Sequence, residues 1–276
     1  KPTMASTSLS TPKVMIAVDG YRYHGKAHDR RELLHELLAE LPSVDHLIYL
    51  PYLDAAADPA EFRNATAWRA ATAGDAPLKV DRVPFDHPLW VVYSSGTTGL
   101  PKPIVHSHGG IVLEHVKMSA IHLDLRAGDR FHWYSSTGWI MWNCQLSGLL
   151  LGCTVCLYDG NPAWPDWNTL WRFVGEISAD FFGAGAAFFQ SCLKAHVEPN
   201  AVADLSHLRA IGSTGSPLPP EAYQWIYDHV RADIWLNPIS GGTDFAGCFV
   251  AGVPTLPVHL GEMQCRCLGA KVEAYD

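Results

Sequence analysis

Charged residues are scarce in this 276-residue chain, and the two signs are unbalanced. Only 17% of the residues are charged, and 28 acidic residues against 20 basic ones give a formal net charge of −8. A protein that binds the nucleic-acid backbone presents a basic face to it. The charge therefore disfavours a nucleic-acid partner, although it still allows a local basic pocket for a nucleotide.

Long apolar runs are lacking as well. A membrane-spanning helix needs about 20 consecutive apolar residues, whereas the longest candidate, Leu146 to Cys156, is interrupted by Ser147, Gly148 and Gly152. The N-terminus has no apolar centre of the kind that a secretory signal carries. We therefore expect no membrane partner, and we expect residues 1–12 to be a disordered leader or an expression remnant.

The cysteines do not form the pattern of a disulfide framework or of a zinc site. Seven cysteines are an odd number, and they lie among apolar residues, which favours free thiols and a cytoplasmic location. Cys153 and Cys156 have CxxC spacing, but in the strand-like run that contains them they would point to opposite faces. Because no second CxxC completes a zinc site, we interpret them as core residues.

Short apolar runs alternate with helical patterns along most of the chain. Strands are predicted at Val14–Val18, His46–Leu50, Val80–Val83, Leu89–Tyr93, Phe131–Tyr134, Thr154–Tyr158, Phe181–Phe182, Leu208–Ile211 and Ile234–Leu236. Helices are predicted between Asp29 and Pro42 and at Ile111–Ile121, Trp139–Leu150, Trp167–Ile177, Phe188–His196 and Glu221–Val230. Repeated units of this kind predict an α/β fold with mostly parallel sheets flanked by helices.

A segment rich in glycine and hydroxyl groups follows the predicted strand Leu89–Tyr93. Its candidate ligand-binding residues are Ser94, Ser95, Gly96, Thr97, Thr98, Gly99 and Lys102. Glycines allow backbone N–H groups to approach an anion, and hydroxyls and a lysine add donors, so the segment is suited to phosphate. Its spacing differs from the Walker pattern, which disfavours a nucleotide kinase or a GTPase. A plain surface turn is the less favoured alternative.

Residues 95–102 resemble the phosphate-binding signature of the adenylate-forming family, which includes acyl-CoA synthetases, luciferases and peptide-synthetase adenylation domains. Three later segments occur in that family's order. Residues 212–218 resemble the turn along which adenine lies, and residues 240–244 resemble the segment whose threonine meets the α-phosphate and whose acid holds Mg²⁺. Residues 261–263 resemble the glycine–acid turn that follows it.

Within this family, the acetoacetyl-CoA synthetase branch is the most similar. Residues 18–23, 136–143 and 240–244 look like segments of that branch. Ser240 stands where the wider family has an aromatic residue that stacks on adenine, and Asp244 stands where it usually has a longer glutamate. The shorter acid favours contact with Mg²⁺ through water. The resemblance implies that residues 13–276 are the central portion of the AMP-binding domain, a partial large domain with the C-terminal lid absent.

The resemblance also implies a role for each matching residue. Lys102 and Thr243 are expected to be catalytic, and Asp244 to hold the metal. Together with the glycine-rich segment, ATP would contact Gly215, Ser216, Pro217, Gly242, Thr243 and Asp244. The acyl pocket would be lined by Trp139, Trp142, Gly185, Thr214 and Gly241. For the two tryptophans, helix-core positions at i, i+3 spacing are the alternative.

The implied activity is that of an acid–CoA ligase, with ATP, Mg²⁺ and CoA. A small carboxylate, acetoacetate by the subfamily resemblance, would be activated as an acyl-adenylate. An acetyl- or propionyl-CoA ligase and a non-catalytic ATP- or AMP-binding module remain alternatives. Counterparts of the family's ribose-binding aspartate and lid lysine are not found, so the fragment alone is expected to be inactive. His106 and His108 would share a strand face, and without a third ligand they are interpreted as histidines with satisfied hydrogen bonds.

Overall fold

The computed structural model of the chain describes residues 11–94 and 101–275. Its strands are β1 (Val14–Val18), β2 (Gly20–Tyr23), β3 (Lys26–Asp29), β4 (His46–Leu50), β5 (Ala65–Ala67), β6 (Pro88–Ser94), β7 (Lys102–Ser107), β8 (Arg130–Trp133), β9 (Thr154–Val155), β10 (Phe181–Gly185), β11 (Ala210–Thr214), β12 (Trp235–Pro238), β13 (Ser240–Gly242), β14 (Gly247–Ala251) and β15 (Cys265–Arg266). The α/β class that the sequence predicts is confirmed.

The helices alternate with these strands. They are α1 (Arg31–Glu40), α2 (Trp68–Ala71), α3 (His108–Lys117), α4 (Ile140–Leu146), α5 (Thr169–Glu176), α6 (Ala186–Lys194), α7 (Pro199–Val202) and α8 (Pro220–His229). A π-helical turn at Met118–His122 continues α3, and 3₁₀ turns occur at Pro59–Glu61 and Ser147–Leu151.

The chain divides into two compact units. The first contains residues 1–83 and 93–104, and the second contains residues 84–92 and 105–276. In the first unit, β1, β4 and β5 form a parallel sheet in the order β1-β4-β5. Leucines at i, i+4 spacing on α1 close its core, where Leu34 and Leu38 pack in one cluster with Leu47 and Tyr49.

The second unit is built on a five-stranded parallel sheet in the order β12-β11-β10-β8-β9. Two apolar clusters account for its core. One includes Trp171, Phe182 and Trp225, and the other includes Phe131 and Trp133. Parallel strands with helices on their faces are buried on both sides, which explains why β10 and β11 read as uninterrupted runs of apolar and small residues.

Most of the predicted strands are present, but the predictions for two segments in different units are wrong. Residues 80–83 form no strand, and Val80 is exposed; its apolar character alone does not create a pairing partner. β9 ends at Val155 instead of continuing to Tyr158, because it is the edge strand and pairs only with β8.

Candidate functional site

Five of the predicted site residues or segments lie at the carboxyl edge of the five-stranded sheet. The segment with Trp139 follows β8, Gly185 ends β10, Thr214 ends β11, and residues 215–217 continue from it. Residues 240–244 follow β12 after the single residue Ile239. In parallel α/β sheets, ligands bind beyond the carboxyl ends of the strands, so the topology places these residues where a site is expected.

A cavity of about 320 Å³ opens at this edge. Its lining residues come from three consecutive segments of the second unit: Thr214, Gly215, Ser216, Pro217, Leu218, Tyr223, Pro238, Ile239, Ser240, Gly241, Gly261 and Met263. The volume falls in the range of small-molecule sites, about 300–1,000 Å³. Five predicted site residues therefore share one cavity: Thr214, Gly215, Ser216, Pro217 and Gly241.

Gly215 has a backbone conformation that favours glycine. Its φ of +88° lies in the left-handed region, and the turn it makes leaves Ser216 and Pro217 exposed. A Cβ added at Gly215 would lie 3.7 Å from Cζ2 of Trp139. The predicted pocket tryptophan and the predicted adenine turn are thus neighbours.

Hydrogen bonds connect two of the segments that line the cavity. Thr214 Oγ1 donates to the carbonyl oxygen of Ile239 at 2.8 Å, and the Ile239 N–H donates to the carbonyl oxygen of Ser213 at 2.8 Å. The end of β11 and the residue that follows β12 are therefore held together just before Ser240. The Thr214 side chain has a structural partner in addition to its place on the cavity wall.

The other predicted pocket residues lie elsewhere. Gly185 faces Thr214 in the register of β10 and β11 and directly precedes α6. Trp142 is half-buried on α4, and its N–H donates to the carbonyl oxygen of Trp139 at 2.9 Å. Neither belongs to the described residues that line the cavity. Both remain predictions as substrate contacts.

The glycines of residues 240–244 differ in what they require. A Cβ on Gly241 would overlap the carbonyl oxygen of Gly247 on the paired strand β14. Strand pairing by itself therefore leaves no room for a side chain at Gly241, and its place in the acyl pocket stays a prediction. A Cβ on Gly242 would meet Phe245 at an ordinary 3.6 Å.

Residues 243–246 form the turn that joins β13 to β14, hereafter the 243–246 turn. Thr243 is half-buried and Asp244 is exposed. The backbone carbonyl oxygen of Asp244 lies 3.0 Å from His106 Nε2. The Asp244 side chain is thus left open to solvent while its main chain is anchored.

The predicted phosphate segment is only partly described. Ser94 ends β6 and Lys102 begins β7, and these two strands pair with each other in a two-stranded sheet. Lys102 is exposed. Ser95, Gly96, Thr97, Thr98 and Gly99 lie outside the described residues, so the roles of these five residues and of Ser94 and Lys102 stay predictions.

Tyr223 was not recognised from the sequence as a site residue. It belongs to α8, lines the cavity, and donates its hydroxyl to the carbonyl oxygen of Glu262 at 2.6 Å. Burial raises the pKa of Tyr223 to about 12, so the hydroxyl keeps its proton at neutral pH. The bond fixes the turn that brings Gly261 and Met263 to the cavity. The resemblance had singled out residues 261–263, but nothing in the sequence linked them to a tyrosine on a helix.

The histidine and cysteine pairs whose spacing is similar to that of metal ligands make structural contacts instead. His106 is buried, and its ring bonds Trp90 and the Asp244 carbonyl, which confirms it as a satisfied histidine. His108 begins α3, so the prediction that it shares a strand face with His106 is wrong. All seven cysteines are free thiols; Cys153 is buried as predicted, whereas Cys156 is only half-buried, because it follows the edge strand β9. Within residues 11–94 and 101–275, no group of three or more His, Cys, Asp or Glu side chains could hold a metal ion.

The described helices are also too short and too polar for a bilayer. None of them is long and apolar enough to cross a membrane.

A family model and the similar proteins of known name agree on the family to which this chain is related. A model of the family described as AMP-binding enzyme matches residues 5–254. The chain is 40% identical over 268 residues to the acetoacetyl-coenzyme A synthetase of Rhizobium meliloti (strain 1021), covering 96% of this chain and 41% of that protein. It is 37% identical over 272 residues to the acetoacetyl-CoA synthetase of Gallus gallus, with the same two coverages.

A solved structure agrees with these relatives. The acetoacetyl-CoA synthetase from Streptomyces lividans superimposes with a TM-score of 0.91 at 49% sequence identity, covering 96% of this chain and 41% of that one. The chain thus spans about two fifths of the length of the relatives that it matches.

Proposed function

The chain belongs to the AMP-binding enzyme family, and on that premise we propose that it is the nucleotide-binding part of an acid–CoA ligase. The proposed reaction joins acetoacetate to ATP, giving acetoacetyl-adenylate and pyrophosphate. The thiol of CoA then attacks the acyl carbon, and AMP leaves. The relatives are about 2.4 times as long as this chain. The whole reaction is therefore proposed for a protein of that greater length, of which this chain would be the nucleotide-binding part.

The observation that carries the proposal is the cavity at the carboxyl edge of the sheet. It joins the turn at 214–218, where the resemblance expects adenine, to Ser240 and Gly241, which lead directly to Thr243. Two segments 22 or more residues apart in sequence thus converge on one small-molecule space. A surface turn without function would not need this convergence.

The cavity also offers a physical substitute for the aromatic residue that Ser240 replaces. Tyr223, Pro238, Ile239 and Met263 supply apolar surface around it. A purine ring gains affinity when it buries its faces against apolar side chains, at roughly 25 cal/mol per Å² of apolar area removed from water. We place the adenine on this lining, with its edge toward the backbone of Gly215.

The chemistry requires charge neutralisation as much as positioning. The attacking carboxylate and the α-phosphate are both anions, so donors must offset their repulsion and hold them in line. In the proposal Thr243 donates its hydroxyl to an α-phosphate oxygen. Lys102 and the N–H groups of residues 95–99 bind the β- and γ-phosphates and stabilise the departing pyrophosphate.

The residues at the 243–246 turn suit Mg²⁺ as an ion held mostly by oxygens from outside the protein. Mg²⁺ keeps several waters and uses one or two carboxylates together with substrate phosphates. Asp244 supplies one exposed carboxylate beside Thr243. When bound there, the ion would neutralise phosphate charge, and Asp244 would hold it directly or through water.

Acetoacetate is proposed as the acid because the relatives named above are acetoacetyl-CoA synthetases. Trp139 is the candidate for an acyl contact, since its ring lies beside Gly215, which lines the cavity, although Trp139 itself is not one of the described lining residues. Its ring would exclude water from the acyl group and limit its length.

The test is acid-dependent exchange of radioactive pyrophosphate into ATP, a reaction that reports adenylate formation alone. It is run on the 276-residue chain and on the product of the complete reading frame, with acetoacetate, acetate and propionate. The proposal expects exchange in the complete product, fastest with acetoacetate. Faster exchange with acetate or propionate would replace the substrate assignment. Binding of ATP without exchange for any acid would replace the ligase with a nucleotide-binding module.

A further inference from the structure

Two buried histidines hold the 243–246 turn by its main chain. His106 Nε2 lies 3.0 Å from the carbonyl oxygen of Asp244, and His115 Nε2 lies 2.9 Å from the carbonyl oxygen of Ala246. His106 is 8% exposed and His115 is fully buried. The two bonds therefore hold the backbone of the turn at Asp244 and at Ala246. The same turn contains Thr243 and Asp244, the proposed phosphate and metal contacts.

The tautomer of His106 follows from its partners. The indole N–H of Trp90 donates to His106 Nδ1 at 2.7 Å. An indole nitrogen can only donate and a carbonyl oxygen can only accept. His106 therefore has its lone pair on Nδ1 and its proton on Nε2, which it donates to Asp244. Trp90 sets the direction of the bond without touching the turn.

His115 also carries its proton on Nε2, in this case because the ring is buried. The Ala246 carbonyl requires a proton on Nε2, and Nδ1 has no hydrogen-bond partner among the described residues. A second proton on Nδ1 would create a buried charge without a hydrogen-bond partner for that N–H group. The ring is therefore a neutral donor fixed in one orientation.

The turn needs an external restraint. Ala246 has a φ of +52°, in the left-handed region that residues with a side chain rarely adopt. Such a conformation persists when the surroundings enforce it. Gly247, next in sequence, lies so close to α3 that a Cβ there would overlap the carboxylate of Glu114. Helix α3 and the hydrogen bonds of the two histidines together restrain the turn.

We propose that His106 and His115 are positioning residues that hold Thr243 and Asp244 in the geometry needed for adenylate formation, with Trp90 fixing the tautomer of His106. This inference rests on the proposed function for its catalytic meaning, but its structural part stands by itself. The sequence offered His106 only as a satisfied histidine. The structure explains why this histidine is there: its hydrogen bond goes to the backbone carbonyl oxygen of Asp244, a proposed metal-binding residue.

The first test compares leucine and glutamine at each position. Glutamine can place an amide donor near the position of Nε2, whereas leucine cannot donate. In hydrogen exchange followed by mass spectrometry, His106→Leu and His115→Leu are expected to raise exchange in the peptide that contains the 243–246 turn by about tenfold, since each removes the hydrogen bond that a buried histidine makes to the turn. His106→Gln and His115→Gln should recover most of the protection. The exposed His207, replaced by leucine, is the matched control and should leave the turn unchanged.

The second test measures the catalytic effect of the same substitutions by pyrophosphate exchange in the product of the complete reading frame. The leucine variants should lower the maximal rate about tenfold or more, with a small change in the KM for ATP, and glutamine should restore it. Trp90→Phe keeps His106 but frees its tautomer, so it should fall between the wild type and His106→Leu. It also replaces the leucine variant if that variant fails to fold.

The outcomes separate the two proposals. Unchanged turn exchange in folded leucine variants, or equal losses with leucine and glutamine, overturns the histidine restraint whatever the assay gives. A wild-type product of the complete reading frame without acid-dependent exchange of pyrophosphate refutes the proposed function, while the hydrogen-exchange result still decides the restraint. Loosened turns with a wild-type maximal rate would overturn the catalytic role of the restraint.

Discussion

The indole of Trp133 occupies the space next to the backbone of Gly212 where a side chain would otherwise be. A Cβ at Gly212, or at Gly183 on the neighbouring strand, would overlap this ring. The two glycines lie opposite each other in the register of β10 and β11. One fully buried tryptophan thus explains the glycines at positions 183 and 212.

Gly212→Ala should therefore destabilise the second unit. The extra methyl group must displace a buried indole, and overpacking of this kind costs about 1–3 kcal/mol. The measurement is the free energy of unfolding from urea titration. Gly138→Ala is the matched control, because a Cβ there meets nothing within 4 Å. Equal midpoints for the two variants would show that Trp133 does not restrict Gly212.

Tyr223→Phe should weaken nucleotide binding without removing any direct nucleotide ligand. It deletes the bond to the Glu262 carbonyl that fixes Gly261 and Met263 on the cavity wall. Loss of one buried hydrogen bond costs about 1 kcal/mol, so ATP affinity by calorimetry should fall up to about fivefold. Tyr227→Phe, on the same helix and half-buried, is the control. Identical affinities in the two variants would contradict this role of Tyr223.

His132 should make stability depend on pH in the acid range. The ring is buried, its Nδ1 donates to the Cys156 carbonyl at 2.8 Å, and burial lowers the pKa of His132 to about 4, against about 6.5 in an unfolded chain. The unfolded state then binds the proton more readily, so stability is full above pH 6.5 and decreases as the pH falls toward 4. The expected loss is about 3 kcal/mol.

The measurement is urea unfolding between pH 4 and pH 7.5 for the wild type and His132→Asn. Asparagine keeps a donor for the Cys156 carbonyl but does not titrate. The wild-type curve should fall more steeply than the variant curve below about pH 6.5. Parallel curves would show that His132 does not bind its proton preferentially in the unfolded state.

The central sheet could be predicted from sequence because its signal is local. Strands β8, β10, β11 and β12 are short, largely buried segments separated by helical patterns, and their parallel order places their carboxyl ends together. The hairpin of β13 and β14 was not predicted. Strand β13 is Ser-Gly-Gly and has no alternation of apolar and polar side chains that would predict a strand. The lack of room for a side chain at Gly241 becomes visible only when the paired strand β14 is in place.

The restraint on the 243–246 turn could not be predicted for a different reason. His106 and Asp244 are 138 residues apart, and nothing near either residue indicates the other. The same holds for Tyr223 and Glu262, 39 residues apart. Motif resemblance found the segments expected to touch ligands, whereas the groups that hold those segments in place depend on tertiary contacts.

The most direct test of the central claim is photolabelling of the chain with 8-azido-ATP, followed by trypsin digestion and mass spectrometry. The cavity residues fall in two tryptic peptides, residues 210–231 and 232–266. If adenine binds at the carboxyl edge of the sheet, label should appear in these two peptides and disappear when unmodified ATP is added in excess. Label that ATP displaces from other peptides only would contradict the account.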